Sequence, residues 1–98
     1  MTVTKTKDGC RLTAAVSGRL DTVTSPALEA ELNDLDGVTE LTIDLSGLDY
    51  ISSSGLRVLL SLQKRMNACG EMKVINVNET VSEIFDITGF SDILTIER

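Results

Sequence analysis

The chain has 98 residues, of which 42% are hydrophobic and 24% charged, proportions typical of one folded domain rather than a disordered segment. Its net charge of −6 at pH 7 argues against nucleic acid or an anionic membrane as the main partner, because both attract clustered positive charge. No apolar run approaches the ~20 residues that span a bilayer, and the segment Met1 to Lys5 lacks the apolar core of a signal peptide. We therefore expect one cytoplasmic domain, residues 1–98, without membrane insertion.

The first two predicted strands form a hairpin. Segments 2–7 and 10–17 flank Asp8-Gly9, a dipeptide that favours a tight turn. In the second strand, apolar residues alternate with more polar ones, which predicts that one face packs on a core: Leu12, Ala14 and Val16.

A first helix is predicted to begin at Ser25-Pro26, with Ser25 as its cap, and to end at Asp36-Gly37. Its apolar stripe consists of Leu28, Leu32 and Leu35. The next strand covers residues 40–45, and a loop over residues 46–52 leads into a long helix. That helix is predicted to run to about Cys69 and to close with a positive φ at Gly70.

The last third of the chain predicts a strand over residues 72–77, a short helix and a final strand over residues 93–97. Asn78 is expected to cap the short helix, which ends near Thr88-Gly89. The element order β-β-α-β-α-β-α-β predicts an α/β fold with helices packed against a mixed sheet.

Three consecutive serines, Ser52 to Ser54, stand before the long helix and are followed by Gly55. One serine is enough to cap a helix, because its hydroxyl accepts a hydrogen bond from an amide of the first turn. Three serines and a glycine without side-chain bulk favour a surface that is open to another protein. A capping role alone is the alternative interpretation.

A helix start is also a favourable place for a phosphate, because it offers free amides and the positive end of the helix dipole. Phosphorylation of a serine adds about −1.5 to −2 charges at pH 7. Burying such a charge unpaired against a partner costs several kcal/mol, and roughly 3–4 kcal/mol weakens binding by ~10²–10³. A serine at this position can therefore act as a switch.

Several motifs occur in a characteristic order along nearly the whole chain: Gly18-Arg19-Leu20-Asp21, Thr24-Ser25-Pro26, LTIDLSGL at 41–48, ISSSGL at 51–56, Gly70-Glu71-Met72, Ile84-Phe85-Asp86 and Thr88-Gly89-Phe90. With these motifs the chain resembles the STAS domain, and within that family the small bacterial anti-sigma factor antagonists. The resemblance implies a mixed sheet with helices on one side.

Antagonists of this family typically carry Asp-Ser-Ser-Gly-Leu before the long helix, and the first serine is phosphorylated. That serine corresponds to Ser53, whereas Ser52 stands where the family has Asp, so Ser52 is the alternative acceptor. Asp21 matches a family aspartate near this loop. The implied partner-binding residues are Asp21, Thr22, Thr24, Ser52, Ser53, Ser54, Gly55, Arg57, Ser61 and Lys64.

The resemblance further implies a partner-switching cycle. The unphosphorylated domain would bind an anti-sigma factor that is also a serine kinase, and would so free a sigma factor. Phosphorylation of Ser53 would end the complex, and a serine phosphatase would restore binding. The protein would be a ligand and a substrate of enzymes rather than an enzyme. A monomer is the default expectation, and from the residues we expect no cofactor, metal or nucleic acid.

Enzyme functions find little support in the residues. The chain has no His, which excludes Ser-His-Asp and Cys-His catalysis and the usual zinc sites. Ser61 and Lys64 match an S-x-x-K spacing, but they lie within a helical pattern and lack companion motifs. Cys10 and Cys69 are expected to be small buried hydrophobes.

Two further alternatives are a phosphoaspartate receiver and a different STAS role. Asp44 ends a predicted strand, as a receiver acceptor would, but no acidic pair follows an early strand to hold Mg²⁺. The second alternative is a STAS accessory subunit of a membrane transport complex, or a scaffold module, without a serine switch.

Overall fold

A computed structural model of the chain describes residues 1–97. The elements are β1 (Thr2–Asp8), β2 (Arg11–Leu20), α1 (Ser25–Glu31), β3 (Glu40–Ile51), α2 (Ser53–Cys69), β4 (Glu71–Ile75), α3 (Glu79–Thr88) and β5 (Ile96–Glu97), with a 3₁₀ turn at Phe90–Asp92. Their order is the one that the sequence predicts. No helix within residues 1–97 is both long enough and apolar enough to cross a membrane.

The five strands form one mixed sheet in the order β1-β2-β3-β4-β5. β1 and β2 pair antiparallel as the predicted hairpin, and all other neighbours pair in parallel. In β2 and β4, buried residues alternate with exposed or half-buried ones, so one face of the sheet is buried. The buried residues of that face and of the helices belong to one core. The α/β fold with helices on one side of the sheet is thereby confirmed.

β3 is much longer than predicted, because residues 46–51 continue the strand instead of forming a loop. Its pairing with β2 shifts register twice, between residues 15 and 17 and between residues 18 and 19 of β2. Each shift gives β3 one residue more than β2 and so displaces the pattern of inward side chains. The buried residues in this part of β3 are Leu45, Leu48 and Ile51. Their spacing of three hides the strand from a search for alternation.

α1 is shorter than predicted and ends at Glu31 instead of Asp36-Gly37. The guanidinium of Arg65 on α2 donates hydrogen bonds to the main-chain oxygens of Leu32 and Asn33, at 3.4 and 2.7 Å. Carbonyl groups at a helix end need such partners, so Arg65 takes the place of a further helical turn. Leu35, in the segment that follows, is still buried.

The last helix and strand follow the prediction in part. Oδ1 of Asn78 accepts a hydrogen bond from the Val81 amide at 2.9 Å, which confirms the predicted cap. α3 ends at Thr88, and Gly89 follows with a left-handed φ of 79°. β5 is shorter than predicted because the 3₁₀ turn and residues 93–95 precede it.

The expectation that both cysteines are buried is wrong, since Cys10 and Cys69 are exposed. Cys10 lies in the β1–β2 turn, before the alternating segment of β2 begins at Leu12. Cys69 is the last residue of α2, and its thiol contacts Met66 Sδ at 3.9 Å although the residue itself is exposed. Both cysteines thus lie at the ends of elements, where fewer neighbours cover them than in the middle of a strand or helix.

The junction between α2 and β4 requires a glycine, but not for the predicted reason. Gly70 has a φ of 169°, which is extended backbone and not left-handed. A Cβ at this position would lie 2.0 Å from the main-chain oxygen of Thr39. The Glu71 amide donates a hydrogen bond to the same oxygen at 2.9 Å. The junction is therefore held against the start of β3 at a distance that excludes any side chain.

We expect Gly70→Ala to lower the free energy of unfolding by about 2 kcal/mol or more, because the backbone must move to admit the methyl group. Urea denaturation measures this loss. The control is Gly37→Ala: a Cβ there meets no atom within 4 Å, and only its φ of 79° is unfavourable. That strain alone costs about 1 kcal/mol. A smaller loss for Gly70→Ala than for Gly37→Ala would contradict the packing argument.

Asp44 lies within β3, at the last position that pairs with β4, and not at a strand end. Its carboxylate accepts hydrogen bonds from the Ser46 amide at 2.9 Å and from the Asn76 side chain at 3.2 Å. The hydrogen bond from the Ser46 amide is the main cause that holds the pKa of Asp44 below its ordinary value, and the bond from Asn76 adds to it. Partial desolvation of the carboxylate acts in the opposite direction. A carboxyl whose folded pKa is lowered stabilises the fold above its unfolded pKa and loses that contribution as the pH falls.

Replacing the Asp44 carboxylate tests whether its charge stabilises the fold in a pH-dependent way. Asp44→Asn should lower stability at pH 6, and the difference from wild type should shrink as the pH falls below about 4. Urea denaturation across this pH range measures it. The control Asp49→Asn removes an equal charge at an exposed position of the same strand. A difference that stays constant with pH would show that the Asp44 charge is not responsible.

Candidate functional site

Residues 21–24 form a tight turn between β2 and α1, and the Asp21 carboxylate holds it closed. Its Oδ1 accepts hydrogen bonds from the amides of Val23 and Thr24, at 3.0 and 3.1 Å. The Thr24 hydroxyl accepts from the Asp21 amide at 2.9 Å and donates to the Arg19 carbonyl at 2.8 Å. Asp21 is therefore the first residue of the turn and lies four residues before the first residue of α1.

The cap of α1 also differs from the prediction. Thr24 occupies the cap position, and Ser25 is the first residue of the helix. The Ser25 hydroxyl donates to the main-chain oxygen of Asp21, so it binds back to the turn. The hydroxyls of Thr24 and Ser25 thus form hydrogen bonds with Asp21, and α1 has no side-chain cap.

The Asp21 carboxylate is charged at neutral pH. The Thr24 amide is the main cause that holds the pKa of Asp21 below its ordinary value, helped by the Val23 amide, the Thr24 hydroxyl and Arg19, and opposed by partial desolvation. Arg19 Nε lies 3.9 Å from Oδ2 of Asp21, and its guanidinium stacks 4.6 Å from the centre of the Tyr50 ring. A fixed negative charge thus stands beside the start of α2.

The three serines at the start of α2 have different environments. Ser52 is the cap, and its Oγ accepts a hydrogen bond from the Gly55 amide at 3.4 Å. Ser54 Oγ lies 3.3 Å from Oγ1 of Thr22, which connects the helix to the turn. Ser53 is exposed, and its hydroxyl has no hydrogen bond within residues 1–97. Ser53 is thus the one serine of the three whose hydroxyl is not engaged.

Gly55 is buried, so the expectation that it opens the surface to a partner is wrong. A Cβ there would lie 2.8 Å from side-chain carbons of both Leu20 and Ile51. The missing side chain lets the first turn of α2 rest directly on the ends of β2 and β3. The Ser52 amide completes this contact with a hydrogen bond to the Leu20 carbonyl at 2.8 Å.

The outer side of α2 carries the remaining predicted residues. Arg57, Ser61 and Lys64 are exposed and follow Ser53 at helical spacing, so they lie on one stripe. Thr22, Ser54, Arg57 and Ser61 line one shallow groove between the turn, α1 and α2. Lys64 lies beyond this groove, about one turn further along the helix. The ten predicted residues thus occupy the turn, the start of α2 and its outer side.

Sequence reasoning missed one residue of this surface. Val23 is 85% exposed at the tip of the turn, between two threonines of the predicted set. The sequence contains only an indirect indication of this exposure. Val23 belongs to no apolar pattern of strand or helix spacing, and the segment around it predicts a turn. Its amide donates a hydrogen bond to the Asp21 carboxylate, which fixes the backbone of the turn at this residue.

Comparisons with known proteins agree with this architecture. The family model of the STAS domain matches residues 1–98. Protein BtrV of Bordetella bronchiseptica, named as an anti-sigma factor antagonist, is 36% identical over 99 residues, which cover 98% of this chain and 85% of that protein.

Two solved proteins have the same fold. An anti-sigma factor antagonist from Mycobacterium paratuberculosis aligns with a TM-score of 0.88 and 25% identity, over 97% of this chain and 83% of that one. The Bacillus cell fate determinant SpoIIAA in its phosphorylated form aligns with a TM-score of 0.76 and 17% identity, over 99% of this chain and 92% of that one. The chain therefore belongs to the STAS domain family, among the anti-sigma factor antagonists.

Proposed function

We propose that this antagonist binds an anti-sigma factor that is also a serine kinase, and that phosphorylation of Ser53 ends the complex. Binding would free a sigma factor, and a serine phosphatase would restore the unphosphorylated form. In this proposal residues 1–98 act as a monomeric cytoplasmic domain that regulates by binding and catalyses nothing itself.

The observation that carries the proposal is the exposure of an unengaged hydroxyl at the start of α2. A kinase needs an acceptor that it can reach without unfolding its substrate. Ser53 meets this condition, whereas the alternative acceptor Ser52 is half-buried and caps the helix. Ser54 is half-buried and contacts Thr22. This difference favours Ser53 although Ser52 replaces the family's aspartate.

The helix start would tolerate the phosphate. The first turn of α2 contains no acidic residue, and the first amides of a helix have no intrahelical partner. A phosphate on Ser53 would therefore meet favourable amides and the positive end of the helix dipole. The fold would persist while the charge of the surface changes, which is the behaviour that a binding switch requires.

Mimicking the phosphate tests the switch. Ser53→Asp should lose binding to the anti-sigma factor, while Ser53→Ala should keep it. Both variants should melt within about 3 °C of wild type, because an exposed side chain at a helix start contributes little to packing. Isothermal titration against the purified anti-sigma factor measures the affinities. Equal affinities for the two variants would contradict the switch and favour an accessory or scaffold STAS module.

The separate roles of the serines can be tested without a partner. Ser52→Ala should lower the free energy of unfolding by about 1 kcal/mol, because the cap of α2 is lost. Ser53→Ala should change it by less than about 0.5 kcal/mol. Urea denaturation measures both. If Ser53→Ala were as destabilising as Ser52→Ala, Ser53 would have a structural role, and its assignment as the free acceptor would be wrong.

A further inference from the structure

We propose that the partner presents carboxylates to the outer side of α2 and an apolar depression to Val23. This inference rests on the proposed function for the identity of the partner and adds the chemistry by which the partner is recognised. The surface concerned consists of Val23, Ser53, Arg57, Ser61 and Lys64, and is called the docking surface below.

The charge of α2 is opposite to that of the protein. The chain has a net charge of −6, yet α2 contains Arg57, Lys64 and Arg65 and no acidic residue. Arg65 is engaged with the carbonyls that follow α1. The two remaining cations, Arg57 and Lys64, are exposed and have no hydrogen bond or ion pair in the part of the chain that the structure describes.

Most other cations within the described residues 1–97 are paired. Each lies within 4 Å of a carboxylate: Lys5, Arg11, Arg19 and Lys73. Arg57 and Lys64 thus stand out as unpaired charges on one side of a single helix. Such an arrangement complements an acidic partner, steers its approach and sets its orientation. Seven residues along a helix correspond to about 10 Å, the separation expected for the opposing carboxylates.

Val23 supplies the apolar part of the docking surface. Val23 is 85% exposed, and the hydrogen bond from its amide to Asp21 fixes the backbone of the turn before any partner arrives. Little backbone entropy is therefore lost when a partner covers this residue. An apolar depression of the partner would therefore gain most of the free energy that burial of the valine provides.

This surface also explains how one phosphate could end binding. Ser53 lies one helical turn before Arg57, on the same stripe. A phosphate contributes about −1.5 to −2 charges, which would cancel the two free cations of the docking surface. A partner with carboxylates at that place would then meet no net positive charge.

Charge reversal at a matched pair of lysines tests the acidic contact. The probe is the protein that the wild-type chain, but not Ser53→Asp, retains from an extract of the source cells, once it has been identified by mass spectrometry and purified. Lys64→Glu should weaken its binding at least about tenfold more than Lys7→Glu. Lys7 is also an exposed lysine without a partner within residues 1–97, but it lies on β1 instead of α2. Both variants change the net charge by the same amount.

A second matched pair tests the apolar contact. Val23→Ser should weaken binding of the same purified protein about tenfold, because burial of a valine side chain is lost. Ile87→Ser should leave the affinity unchanged, since Ile87 is also 85% exposed but lies on α3. Both substitutions are at exposed positions, and thermal melting checks that the fold is retained.

The outcomes separate this inference from the proposed function. If no protein is retained in a Ser53-dependent way, the proposed function is overturned, and the docking surface with it. If Ser53→Asp loses the partner while Lys64→Glu equals Lys7→Glu and Val23→Ser equals Ile87→Ser, the switch stands and the docking surface is wrong. The inference is supported if Lys64→Glu and Val23→Ser weaken binding while their controls, Lys7→Glu and Ile87→Ser, do not.

Discussion

The site depends on the contact between Gly55 and the ends of two strands. Leu20 and Ile51 end β2 and β3 side by side, and Gly55 rests on both because it has no side chain. The Ser52 amide binds the Leu20 carbonyl at the same place. The first turn of α2 is therefore fixed beside the turn at residues 21–24, and two segments thirty residues apart in sequence form one surface.

The irregular pairing of β3 makes this contact possible. The two register shifts give β3 two more residues than the segment of β2 that it accompanies, so both strands reach the same edge of the sheet. They also return Ile51 to the buried face, where Gly55 meets it. Beta-bulges commonly redirect side chains near functional sites, and here they deliver the start of α2 to the surface.

Much of the fold could be predicted from the sequence because most elements have undisturbed patterns. Alternation in β2, the Asp8-Gly9 turn and the Asn78 cap each depend on a few neighbouring residues, and each prediction was confirmed. The length of β3 and the end of α1 could not be predicted in this way. They depend on distant partners, namely the register with β2 and the hydrogen bonds from Arg65.

The site was only partly accessible from sequence. The resemblance to a known family indicated the residues, but it could not distinguish the three serines, since their difference lies in contacts with Thr22 and with the Gly55 amide. It also assigned Gly55 to an open surface, because the closeness of Leu20 and Ile51 is a tertiary property. The exposure of Val23 could not be predicted, because a single apolar residue in a turn has no pattern that indicates whether it is buried.

A chain with phosphoserine incorporated at position 53 tests the central claim most directly. Its affinity for the purified anti-sigma factor should be lower than that of the unmodified chain by about 10²-fold or more, since the phosphate would bring about −1.5 to −2 charges into the interface. An affinity within roughly threefold of the unmodified chain would contradict the account, because a threefold change corresponds to only about 0.6 kcal/mol of binding free energy.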